Sequence, residues 1–117
     1  MLNGIKRIYD KAEIIDGKRI LVDRLWPRGV KKNVANIDLW LKDVAPSDEL
    51  RKWFNHDPSR WEDFKKKYAK ELEGNKALPE LVRMAKESDI TLVYASKDER
   101  YNNAIVLEEI LNKKLME

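Results

Sequence analysis

The chain has 117 residues, 43% hydrophobic and 38% charged, with 24 Lys and Arg against 21 Asp and Glu for a net charge of +3. That length suits one domain, residues 1–117, around one core. The absence of cysteine and the single histidine, His56, exclude disulfides, thiolate chemistry and a Cys/His zinc site. The positive surplus is small for a nucleic-acid binder, which usually concentrates basic residues on one face. No apolar run approaches the ~20 residues of a membrane span. The expectation is a cytoplasmic protein with no membrane partner, no metal and no cofactor.

In chain order, Ile5-Lys6-Arg7-Ile8-Tyr9 alternates apolar and basic residues, as a strand with one wetter face does. Asp16-Gly17 reads as a turn. Arg19 to Arg24 is apolar in its middle, which predicts a central strand. Asn36 then reads as the cap of a helix bearing Ile37, Trp40, Leu41 and Val44 on one face. Ser47 caps a second helix, with Asp48 and Glu49 in its first turn and Leu50, Trp53 and Phe54 buried. Asp57 and Pro58 start a third, carrying Trp61, Phe64, Tyr68 and Leu72 and ending at Gly74. A shorter helix runs near Pro79 to Lys86. Ile90 to Ala95 is the clearest strand, short, apolar and rich in β-branched residues. Asp98 reads as the cap of a last helix presenting Tyr101, Ala104, Ile105, Leu107, Leu111 and Leu115.

These elements predict an α/β fold: a small Rossmann-like domain with a mostly parallel sheet of three to four short strands packed by about five helices. One connection is awkward. The nine residues from Asp10 to Lys18 are short for a parallel crossover, which takes a dozen or more, so an antiparallel first pair is the alternative.

Candidate functional residues sit where strands end. Val22-Asp23-Arg24-Leu25-Trp26-Pro27-Arg28-Gly29 places an acid and a base side by side after an apolar strand. Such charges are costly to desolvate unless they pair or meet a ligand. In open parallel sheets, ligands collect beyond the carboxyl ends of the strands. Asp23 and Arg24 would point to opposite faces of a continuing strand, so sharing a pocket requires that the strand ends there. Arg24, Arg28, Lys31 and Lys32 suit an anion, phosphate above all; a solvated basic loop with Arg24 paired to a helix acid is the plainer reading. Trp26 is either a stacking wall or a buried anchor.

Ser96, Lys97 and Asp98 end the last strand, on the same sheet edge if the strands are parallel. Asp23 and Asp98 are the acid/base candidates. Arg24, Trp26, Arg28, Lys31, Ser96 and Asn102 are the ligand-binding candidates, with Asn102 about a turn into the last helix. His56 falls in a break between helices and is assigned local hydrogen bonding. No Walker-type Gly-rich loop is present, so nucleoside triphosphate hydrolysis is not supported.

Read together, several stretches resemble the YeaO-like branch of the DUF488 family of bacteria and archaea. They are Leu21 to Lys31, Trp40 to Ser47, Leu50 to Pro58, Trp61 to Phe64 with Tyr68 and Glu71-Leu72, and Thr91 to Asp98 with Asn102-Asn103-Ala104. The likeness covers nearly the whole chain. It implies a Rossmann-like fold and no established activity. Broader relatives carry a Cys-His element after the last strand where this chain has Asn102-Asn103, so a thiol mechanism does not carry over.

Three functions compete on these residues. The first is a domain that binds, or hydrolyses by acid/base assistance, a small phosphorylated or nucleotide-like molecule. The others are a nucleic-acid-binding or regulatory module resting on the basic loop, and a protein-interaction domain without a small-molecule site.

Overall fold

The computed structural model describes every residue from Met1 to Glu117. Four strands build one sheet: β1 (Leu2–Arg7), β2 (Lys18–Leu21), β3 (Leu39–Trp40) and β4 (Ile90–Tyr94). Their order is β1-β4-β2-β3 and every pair is parallel. Five α-helices accompany them: α1 (Lys32–Ala35), α2 (Asp48–Phe54), α3 (Trp61–Glu73), α4 (Leu78–Glu87) and α5 (Asn103–Leu115). This is the Rossmann-like arrangement expected from the alternation of elements.

The antiparallel alternative for the first pair does not occur, because β1 and β2 are not paired with each other. Both flank β4 in parallel. The short connection between them holds a 3-10 turn, Ile14–Asp16, whose Asp16 carbonyl accepts the Thr91 hydroxyl at 2.7 Å. The chain thus crosses β4 by hydrogen-bonding to it, without a full helix.

Continuous apolar runs fill strands covered on both faces. Ile20, Leu92 and Tyr94 join the main core, which packs against α2 to α5 through Phe54, Phe64, Tyr68, Leu81 and Leu107. Leu21 and Val93 face the other way, into a smaller cluster with Ile8 and Ala35, covered by Trp26, Val30, Ile37 and Trp40. Four helices therefore cover one face. The segment leading from β2 to β3 covers the other.

One expected helix is replaced. Asn36 does not open a helix; it closes α1 with φ 53°, a left-handed conformation that suits Asn. The following residues form the short β3. Asp38 fixes this by accepting the Arg19 N–H on its carboxylate at 2.8 Å and donating its own N–H to the Arg19 carbonyl at 2.9 Å. As a strand should, β3 alternates sides: Leu39 and the following Leu41 contact the main core, whereas Trp40 enters the smaller cluster.

The start signals at Ser47 and Asp57 act locally as read. The Ser47 hydroxyl accepts the Leu50 N–H, and the Asp57 carboxylate accepts the Ser59 N–H with Pro58 next in line. Tyr68 is fully buried, and its hydroxyl donates to the Val44 carbonyl at 2.7 Å. Burial pushes that phenol far up from its ordinary range, so it stays a donor. Tyr68→Phe would leave a buried carbonyl without its partner. We expect a loss of about 1–2 kcal/mol, read from the urea unfolding midpoint; an unchanged midpoint would mean that water replaces the hydroxyl.

Candidate functional site

β2 ends at Leu21, and the chain leaves the sheet at its carboxyl edge. Asp23 and Arg24 therefore escape strand alternation, and both line one cavity of about 690 Å³. Pockets of about 300–1,000 Å³ are the usual size for small-molecule sites. The cavity lies beyond the carboxyl ends of β2 and β4. From there one connection runs over the helical face and the other over the opposite face. Such a change of direction opens a crevice in parallel sheets.

The Asp23 carboxylate is half-buried and holds the two strand ends together. One oxygen accepts the Ala95 N–H at 2.9 Å; the other accepts the Asn103 side-chain amide at 3.2 Å. Its carbonyl accepts the Trp40 indole N–H at 2.7 Å. Burial pushes the carboxyl above its ordinary range, against the lowering effect of the Ala95 and Asn103 donors. Asp23 thus joins β4 and α5 across the sheet edge rather than capping the next turn.

Arg24 meets no carboxylate. Its Nε donates to the Pro46 carbonyl at 3.0 Å and one Nη to the Ala45 carbonyl at 3.1 Å. The guanidinium is pinned, yet its charge is uncompensated. Arg51 and Lys52 from α2 add two more cations to the lining, and Asp23 is the only acid there. Arg51 has one exposed partner, Asp48 at 3.4 Å. Leu25, Trp26, Phe54 and Tyr101 supply the apolar wall. Trp26 is held by its indole N–H on the Val30 carbonyl at 2.7 Å and by edge contact with Trp40, with ring centres 5.5 Å apart.

Ser96 and Asn102 also line the cavity, so the loops after β2 and β4 converge. Asn102 sits at the start of α5 rather than a turn inside it. It is buried, caps the helix through the Ile105 N–H at 3.0 Å and donates to the Asp98 carbonyl at 2.9 Å. Asp98 closes the preceding turn instead of capping α5. It accepts the Tyr101 and Arg100 N–H groups, each at 2.9 Å, and these bonds hold its carboxyl below the ordinary range. Asp98 lies outside the cavity lining, as do Arg28 and Lys31, which are exposed. Gly29, with φ 75°, turns the loop back on itself and leaves Arg28 in solvent.

Sequence reading missed Arg51, Lys52, Asn55, His56, Tyr101 and Asn103 as cavity residues. The signal for two of them is local. Asn55 and His56 follow α2 with φ 46° and 55°, a left-handed exit that Asn tolerates and that turns His56 into the mouth. Asn103 had a weaker signal, its place beside the helix cap. No cluster of three or more His, Asp or Glu side chains converges to hold a metal, and no helix is long and apolar enough to cross a membrane.

Fold and site together define a small parallel α/β domain with a cationic cavity at the carboxyl edge of its sheet. The chain belongs to the DUF488 family: a family model described as "Inactive DUF488-N3 subclade" matches residues 3–117. It is similar to the uncharacterised protein YeaO of Escherichia coli, at 44% identity over 111 residues, covering 91% of this chain and 93% of that one. It is also similar to the uncharacterised protein Rv3073c of Mycobacterium tuberculosis, at 41% identity over 108 residues and 92% of each chain. No solved structure matches.

Proposed function

We propose that this protein binds a small anionic ligand, phosphate-bearing by preference, in the cavity at the strand ends, and does not turn it over. One observation carries the reading. Arg24, Arg51 and Lys52 line a cavity whose single carboxylate, Asp23, already accepts the Ala95 N–H and the Asn103 amide. Arg24 and Lys52 have no acidic partner and Arg51 has only the exposed Asp48, which favours an anion, and a guanidinium with free N–H groups suits phosphate oxygens. Ser96 and Asn102 border the same space, and Trp26 walls it.

Acid/base hydrolysis is the less favoured form of this reading. A general acid or base needs hydrogen-bond reach to its target. Asp98 lies outside the lining, with two backbone donors on its Oδ1, and Asp23 has a protein donor on each oxygen. The description "inactive" for the matching subclade agrees with binding in place of turnover.

Inorganic phosphate is the first probe. Ligands that bind only the folded state raise its stability, by about 2.7 kcal/mol at a hundredfold excess over Kd. We expect phosphate to raise the unfolding midpoint and Arg24→Ala to abolish most of that rise. A charge-assisted hydrogen bond of about 1.5–3 kcal/mol corresponds to a tenfold or greater loss of affinity by calorimetry. Arg83→Ala, on the exposed side of α4, is the control. An equal phosphate response in wild type and Arg24→Ala, or none in wild type, would end the proposal.

A further inference from the structure

The cavity is not uniformly cationic. Arg51, Lys52 and His56 are exposed and form its mouth, whereas Asp23 and Asn103 are half-buried and form its floor. Asn103 is held in one orientation. Its Nδ2 donates to the Val22 carbonyl at 3.1 Å and to the Asp23 carboxylate at 3.2 Å. Both acceptors require the NH₂ side of the amide to face them, so the opposite atom, Oδ1, faces away. No protein group donates to that oxygen among the side-chain hydrogen bonds. The adjacent Asn102 has the same side chain but is fully engaged, with its oxygen on the Ile105 N–H and its nitrogen on the Asp98 carbonyl.

The floor thus presents acceptors: the Asn103 oxygen and the spare lone pairs of the Asp23 carboxylate, which can take more than the two donors it has. The mouth presents the cationic donors of Arg51 and Lys52. Leu25, Trp26, Phe54 and Tyr101 line the same space. A bare anion would use the mouth and leave the floor unmatched.

We infer that the ligand has three parts: an anionic group for Arg24, Arg51 and Lys52, a planar ring for the apolar wall of Trp26 and Phe54, and an N–H donor for the Asn103 oxygen beside Asp23. A nucleoside monophosphate with an exocyclic amine has these three parts. This assignment rests on the anion-binding reading above and adds to it that Asn103 selects the ligand. The selection is steep in principle, because a site built to accept a hydrogen bond rejects an analogue without the donor.

The test compares matched nucleotides by calorimetry. Adenosine monophosphate is set against purine riboside monophosphate, and cytidine monophosphate against its analogue lacking the exocyclic amine. Inorganic phosphate is the reference. We expect the amine-bearing member of at least one pair to bind wild type about fivefold or more tightly, one neutral hydrogen bond's worth. Asn103→Ala should erase that preference, with phosphate still bound. Arg24→Ala should weaken both members of a pair alike. If the variant at Asn103 fails to fold, the comparison in wild type alone decides. Phosphate binding with equal affinity for both members of each pair would overturn the assignment and leave the anion reading intact. Absence of phosphate and nucleotide binding would overturn both.

Discussion

Gly17→Ala is expected to cost about 4 kcal/mol, a large share of the roughly 5–15 kcal/mol that holds a typical domain folded. Gly17 links the crossing turn to β2 with φ 65° and ψ −141°, a region side chains rarely enter. A Cβ there would lie 2.3 Å from the Asp89 carbonyl oxygen and 2.7 Å from its carbon. These are backbone atoms, and that oxygen already accepts the Lys18 N–H at 2.9 Å, so it has no direction in which to yield. Dihedral strain contributes about 1–3 kcal/mol and overpacking about as much again. The gain from a stiffer unfolded chain offsets less than about 1 kcal/mol. The consequence reaches the site, because Lys18 pairs with Ile90 and sets the register that delivers Asp23 to Ala95. Urea unfolding reads the loss. Gly29→Ala is the comparison: φ is 75°, yet nothing lies within 4 Å of the added carbon, so strain alone, about 1–2 kcal/mol, should appear. Equal effects at the two glycines would refute the steric account.

How legible such features are depends on whether a few neighbouring residues decide them. β4 is plain from Ile90 to Tyr94 because a continuous apolar, β-branched run has one comfortable place, the middle of a covered sheet. The two-residue β3 is not. Its apolar spacing, Ile37, Trp40, Leu41 and Val44, fits a helix as well, and what decides against one is Asp38 bonding to Arg19, nineteen positions away. The site divides the same way. Asp23 and Arg24 stand out because charge at a strand end needs a reason. Arg51 and Lys52 look like any helix surface until α2 is placed beside the cavity. Asn103 acquires its role only through Val22 and Asp23, about eighty residues earlier. Arg28 and Lys31 carried the right charge for an anion, but the turn at Gly29 sends them outward.

Asp16→Ala is expected to cost about 3 kcal/mol, because it strands a buried guanidinium. Asp16 and Arg19 are 5% and 3% exposed, and their Oδ2 and Nη1 atoms lie 2.8 Å apart. The same carboxylate accepts the Glu13 N–H at 3.0 Å and the Lys6 ammonium at 3.2 Å. Without it, Arg19 keeps only its bond to the Asn36 carbonyl at 2.9 Å and a long one to Ala35 at 3.5 Å. The pH dependence follows. Burial acts to raise the Asp16 carboxyl, but the Glu13 N–H, Lys6 and Arg19 together outweigh it and hold the group below its ordinary range. An unfolded aspartate takes up its proton near pH 3.9, before the folded one does. The unfolded chain then binds more protons, so this stability is full above about pH 5 and drains away as pH falls through the depressed value. Asp23 contributes with the opposite sign. Its carboxyl is raised by burial, so the folded chain keeps a proton that the unfolded chain has lost, and that contribution fades as pH rises. Urea unfolding of wild type between about pH 5 and pH 3 should therefore show a fall in stability that Asp16→Asn flattens. An equal slope in the two proteins would place the acid-sensitive group elsewhere. A flattened slope would tie the acid limit of the fold to Asp16 in the turn that crosses β4, on the amino side of the sheet and away from the cavity that Asp23 lines.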